Sequence, residues 1–167
     1  MLRLYLDSST IVKRYITEPG TRTTDSVFDK AEAGELAITL SIWNLGEVFG
    51  VLDERRRRGW LSEDEFARTL RALSNELIKL KRLRVLEVAP IHTSILTEAW
   101  SVILSQHIYE ADAIQITSCR YTQSDALLSS DENLVEASRR LGLEAYDTAK
   151  EEQEFREFLE SKRTAPP

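Results

Sequence analysis

Four times along this chain a short apolar run breaks at a polar turn and gives way to apolar residues at helical spacing. The runs are Leu2–Leu6, Leu36–Leu40, Val85–Val88 and Ala126–Leu128, and a shorter fifth follows at Glu144–Tyr146. Runs this brief are too short for helices and read as buried strands. Leu2–Leu6 stops at Asp7-Ser8-Ser9-Thr10, residues that suit a helix cap. After the second run, Ile42, Leu45, Val48, Phe49 and Leu52 recur at helical spacing toward Gly59. Phe66, Leu70, Leu73, Leu77 and Leu80 then alternate steps of four and three, the most regular stripe in the chain. Further helices are predicted through Ile91–Ile103, Tyr109–Tyr121, Asp131–Leu141 and Ala149–Lys162. Strands alternating with helices predict an α/β fold, with about five mainly parallel strands and helices on both faces, because each crossover must pack back onto the sheet. A ligand crevice is then expected beyond the carboxyl ends of the strands.

No repeat, low-complexity tract or linker divides the 167 residues, so residues 1–148 read as one domain and residues 149–167 as its C-terminal helix and frayed tail. A chain of this length buries roughly 70% of its unfolded surface without metal or disulfide staples. Its single cysteine, Cys119, forbids an intramolecular disulfide and a cysteine-based zinc site, and His92 and His107 are too far apart for a helical metal pair. No apolar run reaches the length of a membrane span, and Arg3 and Asp7 interrupt the opening one. A cytoplasmic protein is therefore expected. The net charge of −6 argues against a broad electropositive surface for nucleic acid. Any chemistry falls to carboxylates, hydroxyls and a borrowed ion.

Four acids stand apart from the solvated majority. Asp7 directly follows the first strand, and Asp131 follows the fourth through Ser129-Ser130. Glu47 lies among Leu45, Gly46, Val48 and Phe49, and Asp112 lies between Ala111 and Ala113 early in a helix. Buried acids are costly without compensation. A helix dipole offers only about 0.3–1 kcal/mol, too little for several like charges in one crevice. A hard dication such as Mg2+ or Mn2+, which takes oxygen ligands and keeps waters, compensates them better and can drive phosphodiester chemistry. The competing readings are local: Asp7 and Asp131 as helix caps, and Glu47 paired with a base such as Lys13.

The segments Leu4-Tyr5-Leu6-Asp7-Ser8-Ser9-Thr10, Leu45-Gly46-Glu47-Val48, Ala111-Asp112-Ala113-Ile114 and Leu127-Leu128-Ser129-Ser130-Asp131, in this order, resemble a PIN domain. More narrowly, they resemble VapC-type toxin ribonucleases. The resemblance spans about residues 2–146. It implies a Mg2+- or Mn2+-dependent endoribonuclease in which Asp7, Glu47, Asp112 and Asp131 bind metal, with Ser9 and Ser129 orienting a carboxylate or a water. It also implies an RNA substrate and a cognate antitoxin, with a homodimer as a further assembly to test. Two alternatives are a PIN-fold binding module without catalysis and, more remotely, an aspartyl-phosphate enzyme, which would usually carry a second Asp where Ser9 stands.

Lys13, Arg14 and the Arg55–Arg58 run are candidate phosphate contacts, although the run also suits a solvated helix C-terminus. The helix pair spanning Ile42–Leu80 is the candidate groove for an antitoxin segment. Trp43, Trp60 and Trp100 are expected to be buried or at interfaces rather than stacked on bases.

Overall fold

The computed structural model describes residues 1–164, except for the side chain of Thr164; the predicted frayed tail beyond it lies outside the described residues. Five strands, β1 (Leu2–Leu6), β2 (Leu36–Ser41), β3 (Leu86–Ala89), β4 (Ala126–Ser129) and β5 (Ala145–Asp147), form one sheet in the order β3-β2-β1-β4-β5. Every pairing is parallel, with Leu4 opposite both Ile38 and Ala126. The helices are α1 (Ser8–Lys13), α2 (Thr21–Glu32), α3 (Ile42–Arg57), α4 (Glu63–Arg82), α5 (Thr93–Gln106), α6 (Glu110–Tyr121), α7 (Glu132–Arg140) and α8 (Glu152–Thr164).

Alternation along β1 builds two cores, since successive strand side chains point to opposite faces. Leu4 and Leu6 join Ile11, Val27, Phe28, Val48, Leu52, Leu73, Leu80, Phe155 and Phe158 on the face covered by α1–α4 and α8. Tyr5 turns to the other face with Ile95, Ala99, Ile116, Leu134 and Val135 from α5–α7. The chain runs from β1 outward to β2 and β3 under the first helical layer, then returns through α5 and α6 to β4 on the opposite side of β1. That reversal opens a crevice between the carboxyl ends of β1 and β4.

The sequence pattern misses α2, whose buried face mixes Thr23 and Thr24 with Val27, Phe28 and Ala31, so that its apolar buried residues are confined to its second half. This helix starts at Gly20, held at φ +96°, where an added Cβ would lie 2.9 Å from the Thr148 carbonyl. Glycine there lets the α1–α2 loop touch the segment leading into α8. The β3 strand sits one residue later than its pattern suggests, and α8 begins three residues later, at Glu152. No described helix is long and apolar enough to cross a membrane.

The last helix is fastened by Phe155 and Phe158, whose rings lie 5.6 and 5.3 Å from that of Tyr146 on β5. Phe155→Ala should therefore destabilise the whole chain by about 3–5 kcal/mol, seen in urea unfolding as an earlier single transition. A separate early transition would show α8 to be an appendage.

Candidate active site

Asp7 ends β1, and its backbone continues the ladder by donating N–H to Leu128 at 3.1 Å. Its side chain caps α1, accepting from Thr10 N at 2.9 Å, as the local reading anticipates. The carboxylate is nevertheless only 3% exposed and takes further bonds. Ser9 Oγ donates to it at 2.8 Å, and Ser129 Oγ, from the end of β4, donates at 2.8 Å. Those hydroxyls are themselves held: Ser9 Oγ accepts from Ser130 N, and Ser129 Oγ accepts from Asp131 N, each at 2.9 Å. Both oxygens of Asp7 are thus engaged, from α1 and from β4. A carboxylate so buried and so fully bonded is a poor nucleophile toward phosphorus, which disfavours the aspartyl-phosphate alternative.

Asp131 is exposed and caps α7, accepting from Asn133 N at 2.9 Å and Leu134 N at 3.3 Å. Glu47, half-buried on α3, accepts from Gln115 Nε2 at 2.8 Å, and Ser8 and Trp43 also face it. Asp112, half-buried in the first turn of α6, has no hydrogen-bond partner among the described residues.

Electrostatics bind the four together. Burial pushes the Asp7 carboxyl up despite the Thr10 amide and the Ser129 and Ser9 hydroxyls. Burial also raises Glu47, and the negative charges of Asp7 and Asp112 add to it. Asp112 is pushed up to about 6, first by burial and then by Asp131 and Asp7. Among the described residues no lysine, arginine or histidine forms an ion pair with any of the four. Lys13 pairs instead with Glu18 at 2.9 Å.

The bases expected to grip phosphate are likewise committed elsewhere. Arg14 pairs with Asp25 and Glu76, Arg55 with Glu18, Arg56 with Asp53 and Glu63, Arg57 with Asp53, and Arg58 with Glu54. Any phosphate contact by these residues must compete with an existing carboxylate. Of the two roles expected for the tryptophans, burial does not occur: Trp43, Trp60 and Trp100 are 42%, 64% and 62% exposed, and Arg58 lies over the Trp60 ring. A cavity of about 670 Å³ opens at the amino end of the sheet beside Leu2, Leu36 and Phe155, away from these acids.

Among the described residues, no three His, Cys, Asp or Glu side chains are arranged to enclose a metal ion by themselves. The chemistry of the set still suits a hard dication: four carboxylates, the pKa raised at Asp7, Glu47 and Asp112, Asp112 unpartnered and no cation in attendance among the described residues. Mg2+ commonly takes one or two carboxylates and completes its shell with water. Asn44 and Gln115, which connect to Glu47, escape the sequence reading. The available signal was a glutamine set between Ile114 and Ile116 in the buried stretch of α6.

A family model of the PIN domain matches residues 4–140, which include all four acids. The chain belongs to the PIN-domain family. Among solved structures, PAE2754 from Pyrobaculum aerophilum aligns with 96% of this PIN protein and 90% of its own chain, at a TM-score of 0.65. Mycobacterium tuberculosis VapC20, described as a sarcin-ricin loop cleaving toxin, aligns over 80% and 94%, at 0.57. FitAcB from Neisseria gonorrhoeae aligns over 87% and 97%, at 0.62. Each is 14% identical to this chain, so what they share with it is the fold. No curated protein sequence matches it significantly.

Burial and crowding at Asp112 act with a sign that can be measured without metal. The folded state holds the Asp112 proton up to about pH 6, whereas the ordinary value is 3.8. Stability therefore falls as pH rises through that window. In chelator, Asp112→Asn should flatten this fall and raise Tm at pH 7 by roughly 2–4 °C, corresponding to about 1 kcal/mol after discounting for partial exposure. Thermal melts from pH 4 to 7 check it.

Proposed function

We propose that this PIN protein is a divalent-metal-dependent endoribonuclease, the toxin of a toxin-antitoxin pair. The observation that carries the reading is the meeting of acids from four separate segments at the carboxyl edge of the sheet, with no basic partner. Membership in the PIN family supports nuclease chemistry, and the description of VapC20 as a sarcin-ricin loop cleaving toxin supports a toxin that acts on RNA.

Asp7, Glu47, Asp112 and Asp131 are the residues that would hold Mg2+ or Mn2+. A divalent ion bound there supplies Lewis acidity and an ionised water at neutral pH. The protein's part is positional. Ser9, Ser129 and the Thr10 amide hold Asp7 in one orientation, so the rigid ligand is the one at the sheet. Asp112 and Glu47 come from separate helices, and their raised pKa values record burial first and repulsion between the acids second, both of which a bound cation would offset. Hydrolysis forms a bond from water oxygen to phosphorus and breaks the bond to the leaving 3′ oxygen, in line.

An antitoxin partner fits the exposed apolar side of α3, where Ile42, Trp43 and Phe49 flank the Glu47 helix. A basic side chain on its tail would meet the uncompensated acids, since an arginine fork matches a carboxylate. Leu96, Trp100 and Leu104, exposed at steps of four along α5, are the face offered to a second copy.

Asp7→Asn should reduce RNA cleavage in Mn2+ at least ~100-fold while the circular dichroism spectrum stays that of the wild type. The measurement is end-mapping of structured and unstructured RNAs with Mn2+, Mg2+ or chelator. Cleavage that persists unchanged after thorough chelation, or in Asp7→Asn, would sink the assignment.

A further inference from the structure

Beneath the acids lies a buried line of polar side chains that is not explained by capping or packing alone. Ser41 at the end of β2, Tyr5 on β1, Asn44 on α3 and Gln115 on α6 are all at most 3% exposed. Asn44 Oδ1 accepts from Ser41 N at 2.6 Å, Ser41 Oγ at 2.6 Å and Tyr5 OH at 2.7 Å. Asn44 Nδ2 donates to Gln115 Oε1, and Gln115 Nε2 donates to Glu47 Oε2 at 2.8 Å.

The line has only one direction. A backbone amide can donate and never accept, so Ser41 N requires the oxygen of Asn44 on its side. The Asn44 amino group must then face Gln115, which must answer with its oxygen. The amino group of Gln115 is left pointing at Glu47. Each amide is oriented by the one before it, and the series starts from main chain that cannot turn.

We propose that Gln115 is a positioning residue for Glu47, its orientation dictated through Asn44 by the Ser41 amide. This deepens the functional reading above and rests on Glu47 being a metal ligand. Two spacings make the tie effective. Asn44 and Glu47 are three apart on α3, so Gln115 bridges two successive turns of that helix. Gln115 is three after Asp112 on α6, so the residue that fixes Glu47 shares a helical face with the next acid. The α3 and α6 helices touch little otherwise. The Gln115 tie therefore links the position of the Glu47 carboxylate to the helix that carries Asp112.

The test measures Mn2+ affinity in the full chain by electron paramagnetic resonance of free Mn2+, below the melting temperature of every variant. Gln115→Met keeps side-chain length and removes both polar ends. Asn44→Asp keeps the acceptor for Ser41 and Tyr5 but has no amino group, so Gln115 must turn its own amino group to the new carboxylate and its oxygen to Glu47. Both variants should bind Mn2+ about 10–100-fold more weakly, the range for groups that orient metal ligands. If Asn44→Asp fails to fold, Gln115→Met carries the test alone. Wild-type affinity in these variants alongside weakened binding in Glu47→Gln would overturn the positioning role and spare the metal site. Wild-type affinity in Glu47→Gln would overturn the metal reading of Glu47 and this inference with it.

Discussion

The buried carboxylate of Asp7 is the constraint around which the rest of the site is arranged. Placing an acid in an almost solvent-free position costs several kcal/mol unless its oxygens are bonded, and here three donors come from two elements at once. The Thr10 amide belongs to α1, Ser9 to the same turn, and Ser129 to the neighbouring strand. That last bond exists only because β1 and β4 run parallel in register, with Leu6 opposite Leu128. Shifting the register by one residue would turn Ser129 away and leave the acid half satisfied. The same junction fixes the start of α7, since Ser129 Oγ also accepts from Asp131 N.

From that point outward the site is a gradient of restraint. Asp7 is held rigidly, Glu47 is held by a side-chain line from the core, Asp112 is held by nothing but its helix, and Asp131 sits at the rim as a cap. Repulsion grows in the same crevice, and the protein does not answer it with its own bases. Lys13, the nearest by chain position, is 5% exposed and turned to Glu18, while Arg55 reaches the same Glu18 from α3. The other arginines of α3 are engaged along and beside their own helix. Leaving the acids without a cation costs stability, and it keeps their negative charge unneutralised for a ligand that carries positive charge.

The architecture was legible in the order of apolar runs, because parallel strands buried on both faces must be short and continuously apolar. The acids at the strand ends were legible for the same reason: an Asp directly after such a run has no surface to go to except the carboxyl edge. The α2 helix was not legible, since its apolar buried residues, Val27, Phe28 and Ala31, all fall in its second half and threonines complete the face. The arginine run was legible as charge but not as pairing, because Glu18, Asp53, Glu54 and Glu63 reach it only once the helices are built. Tryptophans offered no guide to the core, as all three are exposed in the single chain.

Sequence by itself determined which residues were able to become the site: acids following apolar runs, hydroxyls two positions from them, and a glutamine inside an apolar helix. Those are consequences of local chemistry, for burial and capping preferences act within a few residues. Only the tertiary structure decided what each one does. Whether Ser129 meets Asp7, whether Lys13 meets Glu47 or Glu18, and which end of Gln115 faces the acid depend on strand register and helix packing across 5 to 122 residues of chain. Hydrogen-bond direction in particular is inherited from the Ser41 backbone amide, and a side-chain pattern read along the sequence carries no record of where that amide will point.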